Sequence, residues 1–166
     1  MPFNIIAVLL SALIPTIVGF LWYNPNVFGK AWMQASGMTE EKAKESNMAV
    51  IFGVSLLLSV FLAFGILPMV IHQMHYISLM VGSEGMGVEG SDVMNNIKAF
   101  LEMHGDKYRT FGHGALHGGV AAITLALPIL GTNAMFEGKG FKYIAINVGY
   151  WFVTMMLMGG LICAWQ

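Results

Sequence analysis

The sequence predicts an all-α integral membrane protein: a bundle of four transmembrane helices, with a short interfacial amphipathic helix between the second and third. Composition is the first reason, because 57% of the 166 residues are hydrophobic and only 10% are charged, against about 25% charged in soluble domains. The second reason is that four apolar stretches are each long enough to cross about 30 Å of hydrocarbon. This composition excludes a soluble enzyme, a disordered chain and a nucleic-acid-binding protein, which would need a basic face.

The four apolar stretches are predicted to be helices because they lack the alternating polar period of a membrane β-barrel. Helices satisfy their own backbone hydrogen bonds in lipid, and neighbouring helices can compensate for the interruptions at Pro15 and Pro128. No basic residue precedes the first stretch, which is therefore interpreted as a retained span and not a signal peptide. Residues 1–166 form one transmembrane domain, with spans at about 5–23, 48–71, 115–136 and 141–165.

The first polar connection, residues 24–47, is predicted to contain a helix that continues directly into the second span. Gly37 is a helix breaker and Thr39 is a natural N-cap, followed by two glutamates that suit the positive end of a helix. Aromatic residues near the start of this connection are expected to anchor the chain at the membrane interface. They are Trp22, Tyr23, Phe28 and Trp32.

The second polar connection, residues 82–109, divides into a loop and a helix. Residues 82–90 are glycine-rich and are expected to form the loop. Residues 91–104 have Ser91 or Asp92 as a cap and apolar side chains at helical spacing, which predicts an amphipathic helix near the membrane surface. The apolar positions are Val93, Ile97, Phe100 and Leu101, and a tight turn at 137–140 makes the last connection.

The distribution of basic residues predicts the orientation. The first and third connections hold Lys30, Lys42, Lys44, Lys139 and Lys142, and the second connection holds Lys98, Lys107 and Arg109. By the positive-inside rule the first and third connections face the cytoplasm. Both termini and residues 82–109 are then extracytoplasmic.

The five histidines all map to one side of the membrane, and four of them form two pairs. His72 and His75 lie three residues apart at the end of the second span. His113 and His117 lie four apart at the start of the third. Each spacing puts both rings on one helical face, and consecutive antiparallel helices can bring the pairs to the same depth. Because imidazole binds zinc, copper and iron, these four are candidate ligands of a transition metal or haem, with His104 as a further candidate.

The same histidines also have a structural interpretation. Imidazole is amphipathic and suits the membrane–water boundary, where the first pair lies. The second pair lies among glycines, and Gly114 and Gly118 form a small-xxx-small surface that allows close helix contact. On this interpretation the imidazoles hydrogen-bond across helix contacts.

No motif of a known enzyme class is present. The sequence contains no phosphate-binding loop, nucleophile elbow, zinc-protease motif or dinucleotide fingerprint. No charge lies deep in a span, which argues against an ion pump or a proton relay that uses a buried carboxylate. The single cysteine, Cys163, excludes an intrachain disulfide and is expected to be a packed thiol. The sequence therefore favours a non-enzymatic role.

Five short segments together resemble a known family. They are Trp22-Tyr23-Asn24-Pro25, Gly37-Met38-Thr39-Glu40-Glu41, Asn133-Ala134-Met135-Phe136, Ile146-Asn147-Val148-Gly149-Tyr150 and Met158-Gly159-Gly160-Leu161. They resemble the bacterial membrane family catalogued as domain of unknown function 1761, and the long segment 72–109 resembles its longer, Bacteroidota-like form. The resemblance implies a four-span, multi-pass protein of the bacterial inner membrane. It implies no activity, substrate or site residue.

The favoured function is that of a non-catalytic structural or accessory subunit, which forms a homo-oligomer or joins a membrane complex through its glycine faces. Its expected partners are the lipid bilayer and other membrane proteins, and no nucleic acid. The alternative is a metal- or haem-binding membrane protein, related to redox chemistry or transport, that uses the histidines. A weak match between residues 24–30 and 133–139 also suggests a two-hairpin transporter, although a shared way of ending helices explains the same residues.

Overall fold

The computed structural model of the protein describes residues 3–166, and no β-strand occurs among them. The helices are α1 (Ile5–Ser11), α2 (Ile14–Trp22), α3 (Gly29–Ser36), α4 (Glu40–Glu45), α5 (Met48–Val70), α6 (Gln73–Met80), α7 (Asp92–His104), α8 (Phe111–Ala121), α9 (Leu127–Phe136) and α10 (Phe141–Ala164), with a π-helical turn at Ala122–Ala126. Four helical stretches are long and apolar enough to cross a membrane: Ile5–Trp22, Met48–Val70, Phe111–Phe136 and Phe141–Ala164. The predicted all-α, four-span fold is confirmed.

The first span is divided into α1 and α2 by a turn just before Pro15. The side-chain oxygen of Asn4 caps α1 by accepting hydrogen bonds from the backbone of Ile6 and Ala7. Pro15 lies in the first turn of α2, where its missing N–H removes no helical hydrogen bond. The hydroxyl of Tyr150, in α10, donates to the Pro15 carbonyl at 2.8 Å. This hydrogen bond joins α2 to α10 beside the interruption.

The third span starts earlier than predicted and contains a π-helical turn. It begins at Phe111 because the Thr110 hydroxyl caps α8, accepting a hydrogen bond from the His113 backbone at 3.2 Å. The π-helical turn Ala122–Ala126 ends two residues before Pro128. Proline removes one helical hydrogen bond and crowds the carbonyl four residues before it, and a local π turn accommodates both defects.

The central helix is α10, which packs against the other three spans. Its closest neighbour is α8, which runs antiparallel to it. The buried core takes side chains from all four spans, including Val8, Ala63, Ile66, Ala121, Met158 and Ile162. Because lipid is as apolar as these side chains, close van der Waals contact is what holds the helices together.

The helix after Thr39 does not continue into the second span, and that prediction was wrong. Thr39 does cap α4, since its hydroxyl accepts a hydrogen bond from the Lys42 backbone at 3.3 Å. However, α4 ends at Glu45, and the Asn47 side chain caps a new helix by accepting from the Val50 backbone at 3.2 Å. A second N-cap so soon after the end of α4 separates it from α5.

The first and third connections lie at the same end of the bundle. The Nζ of Lys139 donates to the carbonyl of Ser36, which ties the two connections together. The predicted aromatic anchors also cluster here, and the ring centroids of Trp22 and Phe28 are 4.5 Å apart. The indole of Trp22 donates to the Ile146 carbonyl at 3.0 Å, so this anchor also joins α2 to α10.

The opposite end of the bundle carries the second connection and the residues nearest both chain ends. Phe3, Asn4, Gln166 and Arg109 line one cavity of about 450 Å³ there. This agrees with the predicted topology, in which both termini and residues 82–109 share one side. The assignment of that side to the extracytoplasmic face stays a prediction.

The amphipathic helix predicted in the second connection is α7. The Ser91 hydroxyl caps it, and Ile97 is buried on its inner face. Phe100 stacks on Tyr76 of α6 with ring centroids 4.0 Å apart, so α7 packs against the helix that follows the second span. The glycine-rich residues 82–90 form the predicted loop between the two helices.

Candidate metal centre

His72 lies at a break between the second span and α6. α5 ends at Val70, Ile71 has an extended backbone with φ −113° and ψ 92°, and α6 begins at Gln73. His72 is therefore outside both helices. Its ring lies against the first turns of α8, with a centroid 4.9 Å from the ring of His113.

α8 carries His113 and His117 on one face, and a close contact with α10 fixes the direction of that face. Gly114 and Gly118 each follow one of the histidines and lie against the α10 backbone. A Cβ at Gly114 would collide with the Gly159 carbonyl, and a Cβ at Gly118 would collide with the Met155 carbonyl. Because only glycine allows this approach, the glycine face holds the histidine face toward His72.

His72, His113 and His117 together form what we call the histidine cluster. Each offers one ring nitrogen, and these three atoms lie within 4.8 Å of one another. The Nε2 atoms of His72 and His113 are 2.8 Å apart and form a hydrogen bond, as the structural interpretation of the histidines also predicts. Two imidazole nitrogens bound to one zinc ion at about 2.0–2.1 Å are roughly 3–3.4 Å apart. Small side-chain movements would therefore place all three around a single ion.

A family model described as protein of unknown function (DUF1761) matches residues 6–163. The chain belongs to this family. The match includes the whole histidine cluster and all four spans apart from their outermost residues. No curated protein and no solved structure matches the chain.

The surroundings of His72 in this DUF1761 protein favour the neutral imidazole. Partial burial lowers the pKa of His72, and positive charge on His117, His113 and His75 lowers it further. A metal ion binds the unprotonated nitrogen, so the neutral form is the one that can act as a ligand. His72 is exposed, whereas His113 and His117 are partly buried, so the cluster opens toward the end of the bundle.

Tyr108 covers one side of the histidine cluster. Its ring stacks on His113, with centroids 5.1 Å apart and an interplanar angle of 19°. Its backbone φ is +65°, and among the described residues Tyr108 is the only non-glycine residue with a positive φ. Such a conformation costs about 1–3 kcal/mol and persists only where the surroundings impose it. Here the positive φ directs the Tyr108 ring toward His113 of α8, two residues before Thr110 caps that helix.

Arg109 and Cys163 join the segment after α7 to the ends of two spans. Arg109 is only 9% exposed, and its Nε donates to the Cys163 carbonyl at 2.8 Å. That carbonyl lies in the last turn of α10, where a positive charge is stabilised by the helix dipole. The Cys163 thiol is buried, as predicted, and its sulfur lies 3.3 Å from the carbonyl oxygens of both Val70 and Tyr108. These contacts fix the ends of α5 and α10 beside the cluster.

Gln73 holds the turn that carries Tyr108. Its side chain is 4% exposed, and its Nε2 donates to the carbonyls of His104 and Lys107 at 2.7 and 2.9 Å. One buried amide therefore ties the residue after His72 to the residue before Tyr108. The segment that carries His72 and the segment that carries Tyr108 are therefore joined by these hydrogen bonds as well as by the ring contacts.

His75 and His104 lie outside the histidine cluster. His75 is exposed on α6, which the break at His72 separates from α5. The ring centroid of His104 is 5.2 Å from that of Phe100, and His104 lines a cavity beside His72. The structure thus brings together three of the five histidines that the sequence suggested as ligands.

Little in the sequence pointed to the residues that support the cluster. Arg109 was counted only as a charge in the second connection, and Tyr108 and Gln73 belonged to no pattern. The available signal was a polar run, residues 106–109, immediately before Thr110, the cap of α8. Such a run is ordinarily solvated, and Asp106, Lys107 and Tyr108 are exposed here, but Arg109 is buried against the end of α10.

Proposed function

We propose that this DUF1761 protein binds a transition-metal ion at one end of its helix bundle, with His72, His113 and His117 as ligands. The observation that carries the proposal is the approach of three ring nitrogens to within 4.8 Å of one another. His72 and His113 are 41 residues apart in the chain, so only tertiary packing can produce this approach. Three imidazoles suit zinc, copper, nickel, cobalt or iron in the divalent state.

A metal ion fits this geometry better than haem. The two axial nitrogens of a haem lie on opposite sides of the macrocycle, separated by about twice a metal–nitrogen bond of roughly 2 Å. The Nε2 atoms of His72 and His113 are 2.8 Å apart, which leaves no room for a macrocycle between them. These two histidines therefore cannot be the two axial ligands of one haem, and a single metal ion is the form that we propose.

A structural or accessory role in a membrane complex is the second candidate. Gly114 and Gly118, the predicted small-xxx-small surface, pack within the chain against the α10 backbone at Gly159 and Met155. An oligomer or complex would have to form through another surface. We place metal binding first because its ligands are already assembled in one chain.

Metal analysis of the detergent-purified protein tests the proposal, with purification through a tag that contains no histidine. We expect close to one zinc, copper or nickel ion per chain after loading and desalting. The double variant His113→Ala/His117→Ala should lose it, because one remaining imidazole does not hold an ion through desalting.

His75→Ala is the matched control, since this histidine is close in sequence to His72 but lies outside the cluster. It should bind metal as the wild type does. A wild-type protein that retains no metal, or equal loss in His75→Ala, would contradict the proposal. A stable stoichiometric partner on gentle extraction, without metal, would then favour the accessory role.

A further inference from the structure

A cavity of about 270 Å³ opens beside the histidine cluster. Its walls are His72, Gln73, Phe100, His104, Lys107 and Tyr108. Two of these residues also build the metal centre, because His72 is a proposed ligand and Tyr108 stacks on His113. The cavity and the centre therefore share a wall.

The charge of this cavity is positive. Lys107 is the only lining residue with a full charge at neutral pH, and no carboxylate is among the lining residues. The Lys107 ammonium lies 5.3 Å from the centre of the Tyr108 ring. The nearest acid in sequence, Asp106, lines the separate cavity that also contains Arg109. An anion would thus be favoured here over a cation.

Size and wall chemistry narrow the class of anion. A volume of about 270 Å³ corresponds to roughly nine water molecules at about 30 Å³ each, so the occupant is small. Phe100 and Tyr108 supply aromatic walls, which suit an apolar body better than a fully hydrated inorganic ion. Gln73 fixes the backbone at His104 and Lys107, so the cavity is held by buried hydrogen bonds.

Three histidines leave at least one coordination position of the ion open. Zinc sites with three protein ligands characteristically take water or substrate in the fourth position. His72 is the one proposed ligand that lines the cavity, so the cavity lies on the His72 side of the centre, together with Lys107.

We propose that this cavity binds a small organic carboxylate. The carboxylate occupies the open position of the bound metal ion and pairs with Lys107, and its apolar body lies against Phe100 and Tyr108. This inference rests on the proposed metal binding and names the ligand class of the same centre. The metal ion and the Lys107 ammonium favour the carboxylate group, and the aromatic side chains favour an apolar remainder of the ligand.

Cobalt(II) is the probe that separates the two proposals. Its visible absorption reports first whether the histidine cluster binds a metal and then whether another ligand enters its coordination sphere. We expect the cobalt-loaded protein in detergent to show a saturable spectral change with benzoate and a weaker one with acetate. Neutral benzamide and inorganic phosphate should give little change at the same concentrations.

Lys107→Met tests the role of the ammonium group. We expect this variant to bind cobalt as the wild type does and to bind benzoate about tenfold more weakly. Lys98→Met is the matched control. It removes the same charge, but Lys98 lies on α7 and lines a different cavity. It should leave benzoate affinity unchanged.

The outcomes are distinguishable. A protein that binds cobalt but shows no response to benzoate overturns the carboxylate proposal and leaves metal binding intact. Equal weakening by both lysine variants shows an effect of net charge and overturns the site. A response to phosphate as strong as to benzoate assigns an inorganic anion and overturns the organic class. A protein that binds no cobalt at all overturns both proposals.

Discussion

The Nε2 atoms of His72 and His113 lie 2.8 Å apart, although 41 positions separate the two residues in the chain. One residue follows the break at the end of α5, and the other lies in the first turns of α8. Their approach depends on contacts made by neighbouring residues outside the histidine cluster.

Gly118→Ala should force α8 away from α10. The new Cβ would collide with the Met155 carbonyl, and this backbone atom cannot move aside as a side chain can. We expect the free energy of unfolding to fall by about 1–3 kcal/mol and metal binding to weaken because His117 shifts. Thermal unfolding in detergent and metal titration measure the two effects. Gly112→Ala is the control, since a Cβ there meets nothing within 4 Å, and equal effects of both variants would contradict this account.

Tyr108→Gly separates the backbone role of this residue from the role of its ring. Glycine adopts the φ of +65° without strain, so we expect no loss of stability. Removing the ring that stacks on His113 should loosen that imidazole and lower metal affinity about tenfold. Tyr108→Phe keeps the ring and should bind metal normally in the same titration. Unchanged affinity in Tyr108→Gly would show that the stacked ring does not position His113.

Arg109→Met removes the hydrogen bond to the carbonyl of Cys163 at the end of α10. A hydrogen bond from a charged donor contributes about 1.5–3 kcal/mol, and we expect a loss of this size in the free energy of unfolding. Lys98→Met makes the same change of charge at an exposed residue and should cost less than about 0.5 kcal/mol. Denaturant or thermal unfolding compares the two variants, and similar losses in both would show that net charge matters more than the buried contact.

Gln73→Glu should make stability depend on pH. The substitution replaces the amide that donates to the carbonyls of His104 and Lys107 with a buried carboxylate that repels them. Burial and repulsion raise the folded-state pKa of the new carboxyl above its unfolded value. Stability is then retained below the unfolded pKa and lost as pH rises through the folded pKa, by at least about 2 kcal/mol at neutral pH.

Unfolding of this variant at pH 5 and pH 8 measures the effect of the new carboxyl. Gln34→Glu, at an exposed position on α3, should show little change between the two values of pH. A Gln73→Glu variant as stable at pH 8 as the wild type would contradict the role assigned to this amide.

Much of the local structure was predictable from the sequence. The caps at Thr39 and Ser91 are confirmed, because the hydroxyl of an N-cap bonds to a backbone N–H only three residues away. The same local chemistry explains the failure at the start of the second span. Asn47 is as good a cap as Thr39, and the sequence offered no means of judging that both would act within one short connection.

The candidate site was predictable only in part. The spacing of His113 and His117 on one helix is a local property, and it correctly predicted a shared face. His75 lies outside the cluster because it is exposed on α6, and the apolar sequence did not indicate that α6 is a helix separate from the second span. Arg109 is buried because it packs against the end of α10, where its side chain bonds to the Cys163 carbonyl. No pattern near residue 109 indicates this contact.

The sequence by itself determined the class of protein and its four spans. Transfer of a stretch into lipid depends on its length and on the polarity of its residues, and both can be read from the sequence. Tertiary structure alone decided which histidines meet. The approach of His72 to His113 requires α8 to pack backbone to backbone on α10 through Gly114 and Gly118. It also requires the chain to turn between Val70 and Gln73. Both depend on contacts between distant parts of the chain, and local spacing cannot encode their geometry.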